Sequence, residues 1–294
     1  MAKNENRRRA LKNLIAGTAA LSAGTMLSSF SPRTEATPFL LKGNVNHSVC
    51  RWCFSQLSVE ELCIAAKDIG IKAIDLVGPK DWPTLQKYGL ESSMCNGAEI
   101  NLVNGFNDKR YHSTLLKNYS EMIPLLAKAG YKNLICFSGN RAGKDDETGL
   151  ANCTEGLKQL TAIAEKNKVT LVMELLNSKI NHKDYQCDKT PWGVELVKRV
   201  GSDNFKLLYD IYHMQIDEGD VIRTIRDNHR YIAHYHTAGV PGRNELDELQ
   251  ELNYPAIMKA IVATGFKGYV AQEFIPVKAD KIASLRQAVA LCDV

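Results

Sequence analysis

From Gly43 onward, short runs rich in β-branched and apolar residues alternate with stretches whose apolar positions recur every three or four residues. The runs are Asn44–Cys50, Ile71–Val77, Glu91–Asn96, Tyr131–Ser138, Val169–Leu176, Phe205–Tyr212, Tyr231–Thr237 and Gly268–Phe274, and each predicts a strand. Helical patterns such as Ser58–Ile69 and Ala256–Thr264 follow them, and Ser58-Val-Glu-Glu61 has the spacing of a capping box at a helix start. No Pro/Ser-rich linker, internal repeat or low-complexity tract divides this stretch, so one domain is expected over 37–294. Strands that alternate with helices pair in parallel through right-handed crossovers. Eight such units in about 250 residues predict an α/β fold, a single closed (β/α)8 TIM barrel. An open doubly wound sheet is the alternative, but no glycine-rich phosphate turn follows the first run.

The N-terminus breaks the pattern. Asn6-Arg7-Arg8-Arg9-Ala10-Leu11-Lys12 precedes a mildly apolar Ala/Gly/Ser-rich run, Leu14 to Phe30. Paired arginines before such a run read as a twin-arginine export signal over 1–36, with small residues at Thr34-Glu35-Ala36 for cleavage. Gly17, Gly24 and several hydroxyl residues make the run too weakly apolar for a good membrane span. The expected location is periplasmic, or membrane-associated if the leader is retained.

Removing that segment changes the electrostatics. Residues 1–36 carry six of the 37 basic and two of the 33 acidic side chains, which leaves 31 of each in the remainder. A balanced domain offers no electrostatic footprint for nucleic acid, and the membrane is met only transiently through the leader. Eight cysteines in a chain large enough to bury a core without staples read as buried thiols, and Cys50-Arg-Trp-Cys53, with no second such pair, reads the same way.

In a (β/α)8 barrel the reactive groups stand at the carboxyl ends of the strands, and four consecutive apolar runs end in a polar residue. Val169-Thr-Leu-Val-Met-Glu174, Phe205-Lys-Leu-Leu-Tyr-Asp210, Ile232-Ala-His-Tyr-His236 and Tyr269-Val-Ala-Gln-Glu273 close the fifth to eighth. Singly, each reads as a loop cap, an ion-pair partner or a core histidine. Together, three carboxylates and an imidazole converge on one mouth, where their repulsion requires a cation, so they form one complete ligand set for one divalent ion. Three oxygens and one nitrogen without a thiolate favour manganese, magnesium or cobalt, and zinc also fits such a set.

The segments Leu171-Val-Met-Glu-Leu-Leu-Asn177, Asp210-Ile-Tyr-His-Met-Gln215, His236-Thr-Ala-Gly-Val-Pro-Gly-Arg243 and Gln272-Glu-Phe274 resemble the hydroxypyruvate isomerase branch of the xylose-isomerase-like barrel superfamily. His234-Tyr-His236 is closer to the ketose epimerases. The resemblance implies that Glu174, Asp210, His236 and Glu273 are metal ligands and that Glu174 and Glu273 double as acid/base residues. It also implies that His213 and Arg243 hold substrate oxygens. The activity it implies is isomerisation or epimerisation of a small keto-sugar or hydroxy-keto acid through an enediolate, with proton return to the same or the neighbouring carbon left open.

Around this mouth Trp52 and Phe54 read equally as a sugar-stacking wall or as lid packing. Asn140 and Arg141, in Ser138-Gly-Asn-Arg141, read as substrate donors or as a tight turn, and His182, in the loop after Glu174, as a solvated loop histidine first and as one reaching the site second. His47 and His112 read as core or surface residues, and Glu245, Asp247, Glu248 and Glu251 as a solvated run. A lyase or hydratase on a keto-sugar or 3-keto-glycoside uses the same chemistry and is the main alternative. An AP-endonuclease-like enzyme needs more His and Asp ligands and a basic face, and a sugar-binding protein has no need of four converging ligands. The expected partner is a small sugar-like molecule, and self-association into a homo-oligomer is open.

Overall fold

A computed structural model of the protein describes residues 40–294. The twin-arginine signal expected over 1–36 lies outside the described residues. Eight parallel strands close on themselves in chain order: β1 (Asn46–Cys50), β2 (Ala73–Val77), β3 (Glu91–Cys95), β4 (Asn133–Cys136), β5 (Thr170–Glu174), β6 (Phe205–Asp210), β7 (Ile232–Thr237) and β8 (Tyr269–Gln272), with β8 paired to β1. Between them run α1 (Val59–Ile69), α2 (Trp82–Lys87), α3 (His112–Lys128), α4 (Asp146–Asn167), α5 (Thr190–Val200), α6 (Ile211–Asp217), α7 (Val221–Asn228) and α8 (Tyr254–Ala263), and α9 (Lys281–Cys292) ends the chain. The closed (β/α)8 barrel read from the alternating pattern is the observed fold.

The strands are shorter than their hydrophobic runs because the run ends turn into loops or helix caps. Phe205–Tyr212, for example, splits at Asp210, where the strand gives way to α6. Ser58 caps α1 through the expected reciprocal pair, its hydroxyl accepting from the Glu61 N–H while the Glu61 carboxylate accepts from the Ser58 N–H. No helix of the described residues is long and apolar enough to cross a membrane.

Alternation along each strand separates two apolar layers. Leu171, Met173, Leu207 and Tyr209 belong to the large core between sheet and helices. Met94, Ile135, Val172 and Leu208 form a small separate cluster, the plug inside the barrel. Glu174 and Asp210 follow Val172 and Leu208 by two residues, so they point to the same interior side, above this plug.

The cysteine reading agrees with the structure: all eight are free and buried. His47 lies buried 3.5 Å from Asp293, and His112 is buried with Nε2 2.8 Å from the Phe106 carbonyl, so both are core residues. The expected solvated run at 245–251 needs correction. Glu245 is only 4 % exposed, because its Oε1 accepts hydrogen bonds from the Val277 and Lys278 N–H groups, both at 2.9 Å, and from Ser284 Oγ.

Candidate active site

Glu174 at the end of β5, Asp210 at the end of β6, His236 in β7 and Glu273 just past β8 meet at the carboxyl mouth, with ligand-type atoms within 4.8 Å of one another. All four are at most 4 % exposed. Glu273 reaches its place because its N–H continues the β7–β8 ladder, donating to the Thr237 carbonyl at 2.9 Å. Asp210 serves twice: Oδ1 accepts from the His213 N–H at 3.1 Å and caps α6, while Oδ2 turns to the cluster without a partner. The three-residue spacing of Asp210 and His213 is thus that of a helix cap and the third residue it serves.

His236 is oriented from below. Its Nε2 lies 2.9 Å from Asp75 Oδ2, while Ser93 Oγ donates to Asp75 Oδ1 at 2.5 Å and His234 Nε2 approaches that same oxygen to 2.9 Å. With the Nε2 proton directed at Asp75, Nδ1 faces Glu273 Oε2 at 2.9 Å, Glu174 Oε1 at 3.2 Å and Asp210 Oδ2 at 3.9 Å. Nδ1, Glu174 Oε1 and Asp210 Oδ2 are all buried without a hydrogen-bond partner. A lone pair turned toward three carboxylates is repulsive unless a positive charge sits among them, so these four residues fit a divalent cation. The same physics appears in the proton equilibria. Burial and then the neighbouring Glu273 push Asp210 up to about 8. Burial raises Glu174 despite His236, whereas Glu273 is held well below the carboxylate range because His236 and Arg243 outweigh its burial. Without an ion a proton on Nδ1 supplies that positive charge: burial lowers the His236 pKa, but Glu273 and Asp75 raise it well above the usual imidazole value.

The expected single ligand set therefore has a second, partly shared cluster beneath it, Asp75 with His234 and His236. Asp75 went unnoticed in the sequence, although a lone acid inside Ala73-Ile-Asp-Leu-Val77 was its signal. The register between β2 and β3 shifts on both sides of Asp75, first past Ser93 in β3 and then past Leu76 in β2, whose φ is 52°.

Above the cluster, Glu273 Oε1 accepts from Trp52 Nε1 at 2.9 Å and Oε2 from Arg243 Nη2 at 2.5 Å. The guanidinium lies between the Trp52 and Tyr212 rings, 5.2 and 5.4 Å from their centroids. Phe54 turns away and packs edge-on against Phe274 in the core. His213 is fully buried, with the His182 ring 5.1 Å from its own, and burial followed by Arg243 lowers the pKa of both. The structure thus brings Trp52, Arg243, His213 and His182 to the ligand set.

Arg141 pairs with Asp146 and Asp188, the Asn140 backbone carbonyl accepts from Asn107 Nδ2 at 2.6 Å, and the Asn140 side chain donates to the Lys183 carbonyl at 3.4 Å, which joins the loop after β4 to its neighbours.

The family described as xylose isomerase-like TIM barrel matches residues 65–291. The chain is 33 % identical to 2-oxo-tetronate isomerase of Cupriavidus necator over 126 residues, 43 % of this chain and 48 % of that one. It is 32 % identical to hydroxypyruvate isomerase of Escherichia coli over 151 residues, 50 % of this chain and 57 % of that one. These matches span about half the length of the curated relatives. Among solved structures, the barrel of an AP endonuclease, family 2, from Brucella melitensis superposes with a TM-score of 0.74 at 22 % identity, covering 82 % of this chain and 97 % of that one, a likeness of fold.

Proposed function

The chain belongs to the xylose isomerase-like TIM barrel family, and from that premise we propose that it is a metal-dependent isomerase or epimerase acting on a small keto-sugar or hydroxy-keto acid. The observation that carries the reading is the pair of buried carboxylates, Glu174 and Glu273, that face His236 Nδ1 from β5 and from the end of β8, on either flank of the β6–β7 pair. The two relatives named as isomerases of hydroxypyruvate and of a 2-oxo-tetronate support the substrate class.

Glu174, Asp210, His236 and Glu273 would hold one divalent ion. When bound, that ion supplies Lewis-acid stabilisation for negative charge developing on the substrate carbonyl oxygen. The remaining work falls to the chain. Glu174 and Glu273 are the proton-transfer groups: one takes the proton from the carbon beside the carbonyl and either returns it. Trp52 and Arg243 pin Glu273 through both oxygens, so its direction is set before substrate arrives. Arg243 and His213 hold substrate oxygens, Trp52 gives the sugar a flat wall, and His182 closes the side next to His213. Burial of the four ligand residues keeps bulk water from quenching the enediolate.

Incubation of the metal-loaded protein with hydroxypyruvate and a panel of ketoses in heavy water should introduce deuterium at one carbon position, read by NMR or mass. Glu273→Gln should slow exchange by about 100-fold or more, because the amide keeps the shape but is no base. Absence of exchange across the panel overturns the isomerase reading, and an E273Q variant that exchanges at the parent rate overturns the two-carboxylate mechanism. Growth of an unsaturated chromophore would instead assign the site to elimination.

A further inference from the structure

Asn177, three residues past Glu174 in the loop after β5, is fully buried and touches none of the four ligand residues in a hydrogen bond. Its Oδ1 accepts from two backbone N–H groups, Ile180 at 3.1 Å and Asn181 at 2.9 Å. A main-chain N–H can only donate, so the amide oxygen is fixed on that side and the NH2 group on the other. That NH2 reaches Asn181 Oδ1 at 2.7 Å and His213 Nδ1 at 2.5 Å. Tyr212 Oη, donating to the same Asn181 oxygen at 3.1 Å, holds Asn181 in turn.

An amide NH2 is a donor only, so its partner Nδ1 must be the bare acceptor nitrogen of the His213 ring. The ring proton then sits on Nε2. A doubly protonated ring is excluded by the same contact, since it would set N–H against N–H. Nε2 is buried and has no partner, and its nearest acidic neighbour, Asp210 Oδ2, is 3.7 Å away. A buried donor without an acceptor is destabilising, and that cost is recovered when a ligand oxygen takes the bond.

We infer that Asn177 is a positioning residue that locks His213 as a neutral Nε2–H donor, so that the site recognises a substrate oxygen that accepts, a carbonyl or alkoxide, at that point. The inference rests on the reading of His213 as a substrate-holding group. His236 carries its proton on the same nitrogen, Nε2, which goes to Asp75, but there the bare Nδ1 faces the carboxylate cluster, whereas in His213 the bare Nδ1 faces the protein and Nε2–H is left for the substrate.

The test is the long-range 1H–15N spectrum of the full chain with 15N-labelled histidine, with His213 assigned by the signal lost in H213Q. The wild-type protein should show the Nε2–H tautomer at His213. Asn177→Asp, which replaces the donor by an acceptor, should move the proton to Nδ1 or add a second one, with the signals of His47 and His112 unchanged. Nδ1–H in the wild type overturns the inference, and so does an N177D ring identical to the wild type. The wild-type spectrum decides even if N177D fails to fold. With hydroxypyruvate as the probe for heavy-water exchange, N177D should raise KM about tenfold, the effect of losing one hydrogen bond to substrate, with a smaller change in kcat. An H213A protein with unchanged KM would sink the substrate-holding reading while the tautomer assignment stands.

Discussion

Glu245 lies in an acidic stretch whose Glu248 and Glu251 are exposed, yet it is itself buried. Three donors converge on one buried carboxylate oxygen, so truncation leaves buried N–H groups without partners. Glu245→Ala should lower unfolding stability by about 2 kcal/mol at neutral pH, the order of a charged hydrogen bond lost. Burial alone would raise its pKa, but the Lys278 and Val277 N–H groups and Ser284 hold it below the carboxylate range. A group whose folded pKa is depressed stabilises above its unfolded value, about 4.3, and loses that contribution as pH falls through the folded one. The difference between parent and variant, read by urea unfolding in chelator, should therefore shrink as pH drops below about 4. A gap that stays constant from pH 7 to pH 3 would show that packing, and not the charge, is what the residue contributes.

At the scale of elements, Gly156 sets helix propensity against packing. It lies inside α4, where alanine is intrinsically better by about 1 kcal/mol. Yet a Cβ there would meet Phe106 Cδ1 at 2.9 Å and the His112 ring at 3.0 Å, both buried residues joined by the His112–Phe106 contact. Overpacking of about 1–3 kcal/mol should win, and Gly156→Ala should lower Tm by several degrees in a thermal melt. A rise in Tm would mean that the loop between β3 and α3 shifts aside easily. Elements were legible where period and caps agree, as in α1 with its Ser58–Glu61 box. Their ends were not, because Asp210 and the loop residues after the strands answer to partners on other elements.

For the whole molecule, an ion held by the proposed ligand set would couple metal binding to folding. Three buried carboxylates and a shared imidazole store repulsion that a cation would relieve, so an ion at a hundred times its dissociation constant should add about 2.7 kcal/mol. Chelation should then lower Tm by about 2–4 °C for each kcal/mol withdrawn, and manganese or magnesium should restore it. In Asp210→Asn, loss of a buried acid pushed up to about 8 should leave the chelated protein at least as stable as the chelated parent while abolishing most of the metal-dependent rise. A parent Tm indifferent to chelator would remove the cation from the cluster.

The sequence by itself determined the barrel, since eight alternations of two hydrophobic periods leave little else for a chain of this length to form. It also determined which four strand ends are polar, and hence the ligand cluster, because a parallel barrel delivers every carboxyl end to one face. Tertiary structure alone decided what lies one step away in space. Asp75 stands beneath His236 from a strand 161 residues distant, Asn177 grips His213 across a loop, and Glu245 is buried by the segment after β8. It also decided that Arg141 is spent on Asp146 and Asp188. Periodicity reports which side of an element a residue faces, but a hydrogen-bond partner is fixed by packing between elements, which no local pattern encodes.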